Sequence, residues 1–211
     1  MKKIISHFKD CDLLRDAFKY LITNNKGYRN PYHNNRHIIG VFITSMEIAN
    51  TYDSLTEKDI LELGLAALFH DFDHSGGLYK NDADNITLAI NGLNSFLMGN
   101  KSMVKSYDID VFKVEELIRI TKYPNKTKPS NIKEEIICDS DLLQSYNGDW
   151  FLNIIIGLLN TELKLTMQAS FRNQIKFIKN VKYYTDHAKF IHNKKQDELL
   201  NEIRFFAKLF K

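Results

Sequence analysis

Leu65-Ala66-Ala67-Leu68-Phe69-His70-Asp71-Phe72-Asp73-His74 decides how this 211-residue chain is read: an apolar helical run ends in four ionisable side chains within five residues. Imidazoles and carboxylates buried at a helix end are costly unless they are paired or hold a cation. Adjacent His70 and Asp71 offer one nitrogen and one oxygen ligand. The same pair could also close an ordinary helix, with Gly76-Gly77 as the stop, so the rest of the chain has to decide.

Working outward, Thr56-Glu57-Lys58-Asp59 reads as a capping box with Asp in place of Glu, opening the helix that carries Ile60, Leu63, Gly64, Ala67 and Leu68. Before it, Tyr32-His33-Asn34-Asn35-Arg36-His37 leads an apolar helical run through Ile48. His33 and His37, four apart, share one helix face there. Beyond the turn-rich stretch Ser75 to Lys80, Asn81 to Asn85 makes an acidic start to a helix over Ile86 to Leu97. Further helices are expected over about Asp108 to Thr121 and about Asn131 to Tyr146. In the latter, Asp139 and Asp141 point about 200° apart, so at most one faces the histidines. His37, His70, Asp71 and Asp141 each lie at or near a helix end. Two imidazoles and two carboxylates suit a divalent cation such as zinc, manganese or iron, with open positions for water.

The remaining segments read the same way. A core helix runs from about Lys9 to Thr23, an apolar helix from Trp150 to Leu165, and a long amphipathic helix from Ala169 to about Ile191. On the last of these, Phe171, Gln174, Ile178 and Val181 form one stripe; an amide there needs either another helix's backbone or a polar ligand. A final helix from about Gln196 sets Leu199, Ile203, Phe206 and Phe210 on one face, which fits core packing or a homodimer contact. The loop Lys122 to Pro129 carries three lysines and no acid. Strand-like alternation is missing, and only three prolines and nine glycines break the chain, so the expectation is an all-α helical bundle forming a single domain over 1–211. The net charge of +3 gives no nucleic-acid signal. No apolar run approaches the roughly 20 residues of a membrane span, and the N-terminus shows no secretory h-region. Cys11 and Cys138, far apart, fit free thiols in a reducing cytoplasm.

These motifs carry a resemblance. The chain resembles the HD superfamily of metal-dependent phosphohydrolases, and in particular the catalytic domain of class I cyclic-nucleotide phosphodiesterases. That family's Tyr-His-Asn-x-x-His stands here at Tyr32 to His37, its His-Asp-x-Asp-His-x-Gly at His70 to Gly76, and its later Asp-Leu at Asp141-Leu142, which favours Asp141 over Asp139. Its Gln-x-x-Phe-Ile stands at Gln174 to Ile178. The chain departs from the pattern at Gly40, where the family has Asp, and at Gln144, where it often has Asn. Asp84-Asn85 stands in for its Glu-Asn, and the chain is shorter than a typical family domain.

The resemblance implies a metal-dependent phosphodiesterase that hydrolyses a cyclic or otherwise diester-linked nucleotide by attack of a metal-bound hydroxide. His37, His70, Asp71 and Asp141 would hold the first ion (Zn, Mn or Fe), and Asp71 would bridge to a second (Mg or Mn). His33 would protonate the leaving ribose oxygen, oriented by His74 or an acid such as Asp84. Tyr32, Gln144, Gln174 and Phe177 would contact the substrate, the last two at its base. The alternatives are an HD nucleotidase or triphosphohydrolase acting on nucleoside phosphates, and a nucleotide-binding module without turnover.

Overall fold

The computed structural model describes residues 11–79, 81–124 and 127–210; the expected start of the first helix near Lys9, Lys80 at the end of the turn-rich stretch and Asn125-Lys126 in the lysine loop lie outside them. Helices account for all the regular structure among the described residues: α1 Asp12–Asn24, α2 Asn35–Ala49, α3 Glu57–Phe69, α4 Asp82–Gly99, α5 Lys101–Ser106, α6 Val111–Ile120, α7 Ile132–Leu142, α8 Phe151–Glu162, α9 Met167–Asn180 and α10 Asp186–Leu209. Single 3₁₀ turns, Lys26–Arg29 and Leu143–Tyr146, follow α1 and α7. The all-α expectation therefore stands. No described helix is long and apolar enough to cross a membrane.

Helix α3 is the axis. Residues 62–69 are all buried, the pattern of a helix with neighbours on every side, and α1, α2, α4, α6 and α7 pack against it. Its start is the expected capping box: Thr56 Oγ1 accepts from Asp59 N at 3.2 Å, and Asp59 Oδ2 accepts from Thr56 N at 3.1 Å. One turn on, buried Glu62 pairs with Lys133 Nζ of α7 at 2.8 Å and accepts from Asp110 N, the N-cap of α6, at 3.1 Å. A buried carboxylate is tolerable when it is paired and hydrogen-bonded in this way. These ties fix where α3 ends, and its C-terminus delivers His70 and Asp71 to the middle of the bundle.

Two boundaries differ from the sequence reading. The helix expected over Ala169 to Ile191 breaks at Asn180, and α10 starts at Asp186 instead of near Gln196. The cause is Asp139, fully buried on α7: its carboxylate accepts from Tyr184 N, Thr185 N and Thr185 Oγ1, the last two at 2.7 Å, and Thr185 caps α10. Asp139 is thus a packing residue facing away from the histidines. The other boundary is α5, a short helix between α4 and α6 that the expected pattern lacked. Part of the apolar face of α10 packs within the chain: Leu199 and Ile203 are buried and Phe206 lies on Trp150 and Phe151 of the α8 region at ring distances of 6.0 and 5.0 Å, while Phe210 on the same face is exposed.

Removing the Asp139 carboxylate strands two backbone donors, each costing about 1–3 kcal/mol. Asp139→Ala is therefore expected to lower the urea unfolding free energy by about 2–6 kcal/mol, and an unchanged unfolding midpoint would contradict the anchoring role.

Candidate metal centre

His70 is the residue on which α3 stops, so its ring leaves the helix axis where the apolar packing ends. Its Nδ1 donates to Ala67 O at 2.9 Å, which fixes the tautomer and leaves the Nε2 lone pair pointing inward. His37 enters from the first turn of α2, whose cap Asn34 accepts from Arg36 N and His37 N. Asp141 comes from the last turn of α7. Four donor atoms meet: His37 Nε2 lies 3.1 Å from Asp71 Oδ2, 3.2 Å from Asp141 Oδ1 and 3.3 Å from His70 Nε2, and His70 Nε2 lies 3.2 Å from Asp71 Oδ2. Ligand atoms about 2.0–2.1 Å from a tetrahedral zinc ion stand about 3.3–3.4 Å apart, and those of six-coordinate ions somewhat closer. Both the spacing and the donor chemistry therefore fit a divalent cation.

The electrostatics point the same way. Burial opposes a charged His37, yet the hydrogen bonds and charges of Asp141 and Asp71 overcome it and push the imidazole from 6.5 up to about 10. Burial likewise works against ionised Asp71, while His70, His33 and His37 hold it well below the carboxylate range. The cluster demands positive charge, and without a cation it takes protons. Asp73 belongs elsewhere: its carboxylate accepts from Lys26 N at 2.7 Å and pins the turn after α1.

Beside this centre stand His33 and His74, their rings stacked with centroids 3.7 Å apart. Asn30 Nδ2 donates to both backbone carbonyls, at 3.0 Å to His33 O and 2.7 Å to His74 O, which locks the pair together. Burial, then the charge of His33, holds His74 down at about 4, so it is neutral, and its Nδ1 accepts from Gly76 N at 3.1 Å. The acid on His33 is Glu162, the last residue of α8. Its Oε2 is hydrogen-bonded to His33 Nδ1, and its Oε1 accepts from Tyr32 N at 2.7 Å and His33 N at 3.0 Å. Asp84, expected in this place, is exposed in the first turn of α4. Burial opposes its charge, but His33 and the two backbone amides keep the Glu162 carboxyl below its ordinary range.

Glu162 can reach because α8 is wound as a wide π-helix, a rare form met frequently at functional sites, and because two glycines admit it. A Cβ on Gly157 would stand 2.8 Å from Pro31 O, and one on Gly77, at φ +85°, 2.2 Å from Glu162 O. The sequence reading missed Glu162. The available signal was that it is the lone charge in the run Phe151 to Leu163.

Of the other expected residues, Tyr32 packs its ring 4.5 Å from that of His37, and burial with Asp141 and Asp71 keeps its phenol protonated. Gln144 is buried and its amide is committed: Nε2 donates to Thr44 Oγ1 and Ser140 O, and Oε1 accepts from Asn147 Nδ2 at 2.7 Å. It fills the space over Gly40, where a Cβ would lie 2.6 Å from its Oε1, so these two departures from the family pattern go together. Gln144 is thus held within the wall of a cleft of about 300 Å³ that Tyr32, Asn34, Arg36, His37 and Asn153 also line. Gln174 is buried with Nε2 lacking a partner, and Phe177, one turn on, is partly buried. Neither lines that cleft.

No family model matches the sequence. Across 76 residues, 34% of this chain, the sequence is 38% identical to the dual specificity calcium/calmodulin-dependent 3',5'-cyclic nucleotide phosphodiesterase 1 of Drosophila melanogaster, and the match covers 9% of that protein. The chain thus corresponds to a small part of that relative's length, and the similarity gives it a phosphodiesterase-like relationship.

A histidine whose folded pKa is raised contributes stability that is complete below its unfolded value and is lost as pH rises through the folded value. For His37 that window runs from 6.5 to about 10 in the cation-free protein. A bound cation replaces the proton. Chelator-stripped protein is therefore expected to lose melting temperature across this window more steeply than cation-loaded protein, with proton release on cation binding near pH 8. Parallel pH profiles for the two forms would contradict this.

Proposed function

We propose that the chain is an HD-type metal-dependent phosphohydrolase that cleaves a cyclic or otherwise diester-linked nucleotide. One observation carries the reading: a histidine held by a buried carboxylate, His33 on Glu162, stands beside the four-donor cluster, its ring 5.7 Å from that of the candidate ligand His37. Charge neutralisation and proton delivery thus lie within the width of one phosphate group. His37, His70, Asp71 and Asp141 would hold one ion (zinc, manganese or iron), and Asp71 would share a second, Mg²⁺ or Mn²⁺. When bound, such ions supply Lewis acidity towards a phosphoryl oxygen and acidify water as the nucleophile.

The chain's own residues supply the rest. Glu162 keeps a proton on His33 Nδ1, so Nε2 faces the substrate and, when protonated, donates to the leaving ribose oxygen. An alkoxide leaves poorly without that proton, which favours an ester bond to ribose over a pyrophosphate. Neutral His74, stacked against the His33 ring, restricts its rotation. The Gln174 amide, buried with Nε2 unsatisfied, would find its acceptor on a base, and Phe177 would offer a ring face to stack on it.

Purified protein with Mn²⁺, presented with cyclic mononucleotides, cyclic dinucleotides and nucleoside phosphates, is expected to open the diesters and leave the resulting monoester intact. Phosphate release from nucleoside phosphates with no diester opening would make it a nucleotidase instead. His33→Ala is expected to lose about 10²- to 10⁴-fold in rate on ribose esters and to recover partly on a p-nitrophenyl diester, which needs no acid. Equal losses on both would remove His33 from that role. Gln174→Ala is expected to raise KM for nucleotides by about fivefold to tenfold, the worth of one hydrogen bond, and to spare bis-p-nitrophenyl phosphate; a fall in melting temperature with both activities reduced together would make it a packing residue.

A further inference from the structure

We propose that the cleft of about 300 Å³ beside His37 is a subsite for a second phosphate, with Arg36 as its contact, and that the diester cleaved here is a cyclic dinucleotide. The cleft adjoins the centre: His37 and Tyr32, whose rings pack 4.5 Å apart, both line it, and His37 Nε2 belongs to the four-donor cluster. Apart from the Tyr32 ring and Gly148, every residue that lines it is polar or charged, so it lacks the apolar faces between which a base stacks. Its volume is at the small end for a ligand site, which suits one part of a substrate and not the whole.

Two helix starts open on the cleft. Asn34 and His37 bring it the start of α2, and Asp149 and Asn153 the start of α8, whose first amides no side chain caps. Each start is the positive end of a helix dipole. Arg36 spans the two: one terminal nitrogen of its guanidinium is hydrogen-bonded to Asp149 Oδ2, which holds the long side chain at the cleft. The other donors of that fork have no partner among the described residues, and the pair is exposed, at 70% and 48%, so rearranging it costs little. A phosphate takes two parallel N–H donors from one guanidinium, a stronger arrangement than the single contact to Asp149. Released from Arg36, Asp149 still stands at the start of α8, where a carboxylate is favoured. A cyclic mononucleotide has one phosphate, and the metal centre takes it. A cyclic dinucleotide brings a second, a sugar's length from the first, for Arg36 to hold. The substrate class rests on the reading of the centre as a phosphodiesterase; the affinity of the cleft for phosphate does not.

Two measurements test this. With Mn²⁺, wild-type protein is expected to open cyclic diadenylate and cyclic diguanylate with a higher kcat/KM than the matching 3′,5′-cyclic mononucleotides. Arg36→Ala is expected to cut that preference about tenfold, through KM, the low end for a charge-assisted hydrogen bond as suits an exposed site. Arg36→Lys, which keeps the charge without the fork, should restore part of it. In chelator-stripped protein, where binding needs neither ion nor turnover, equilibrium dialysis of the two cyclic dinucleotides is expected to give a Kd about tenfold weaker for Arg36→Ala than for wild type. A wild-type preference for mononucleotides, or a Kd that Arg36→Ala leaves unchanged, would overturn the subsite. A lowered melting temperature with both substrate classes slowed equally would make Arg36 a clasp between α2 and α8, and would overturn it too. If the protein opens no diester at all, the proposed function falls, and the dialysis comparison alone decides the phosphate subsite.

Discussion

The structure turns on a demand for positive charge in a dry place. Where the apolar packing of α3 gives out, His37 Nε2 lies 3.1–3.3 Å from Asp71, Asp141 and His70, and His70 Nε2 lies 3.2 Å from Asp71. The two imidazoles are buried and the two carboxylates only partly exposed, so water takes up little of the charge and a cation is called for. Much else in the fold exists to bring those ends together. The capping box at Thr56 and the Glu62–Lys133 pair set the position of α3, the Asn34 cap presents His37, and Asp139 turns α7 so that Asp141, two residues on, faces the opposite way.

A second constraint governs proton delivery. Glu162 meets His33 across 129 residues of sequence, and only a wide-wound α8 entering over Gly157 and Gly77 brings it there. The same carboxylate caps two backbone amides, so one buried charge both holds the Tyr32–His33 segment in place and sets the chemistry of the ring.

How much of this the sequence shows depends on distance along the chain. The meeting of His37 with His70 and Asp71 was legible because each sits in a short motif whose spacing states its geometry, Tyr32 to His37 on one helix start and His70 to His74 on one helix end, whereas spacing left Asp139 and Asp141 open and only the resemblance favoured Asp141. The cap at Thr56 was legible for the same reason. What stayed hidden depends on partners far away. The break between α9 and α10 follows from Asp139, more than 40 residues upstream of the amides it accepts from. Asp84-Asn85 stands in for the Glu-Asn of the family that the chain resembles, but the Asp84 side chain faces solvent, and the partner of His33 comes from a helix that reads as plain apolar core. Gln144 has the right chemistry for a base contact, yet its amide is used up by Thr44, Ser140 and Asn147.

The central claim is that the two imidazoles and two carboxylates hold a metal ion, and anomalous diffraction from crystals grown with Mn²⁺ or Zn²⁺ tests it most directly. The account predicts a peak at the metal's absorption edge bounded by His37 Nε2, His70 Nε2, Asp71 and Asp141, with the direct His37–Asp141 contact replaced by contacts to the ion. Crystals that hold the metal elsewhere, with His37 Nε2 still hydrogen-bonded to Asp141, would contradict it.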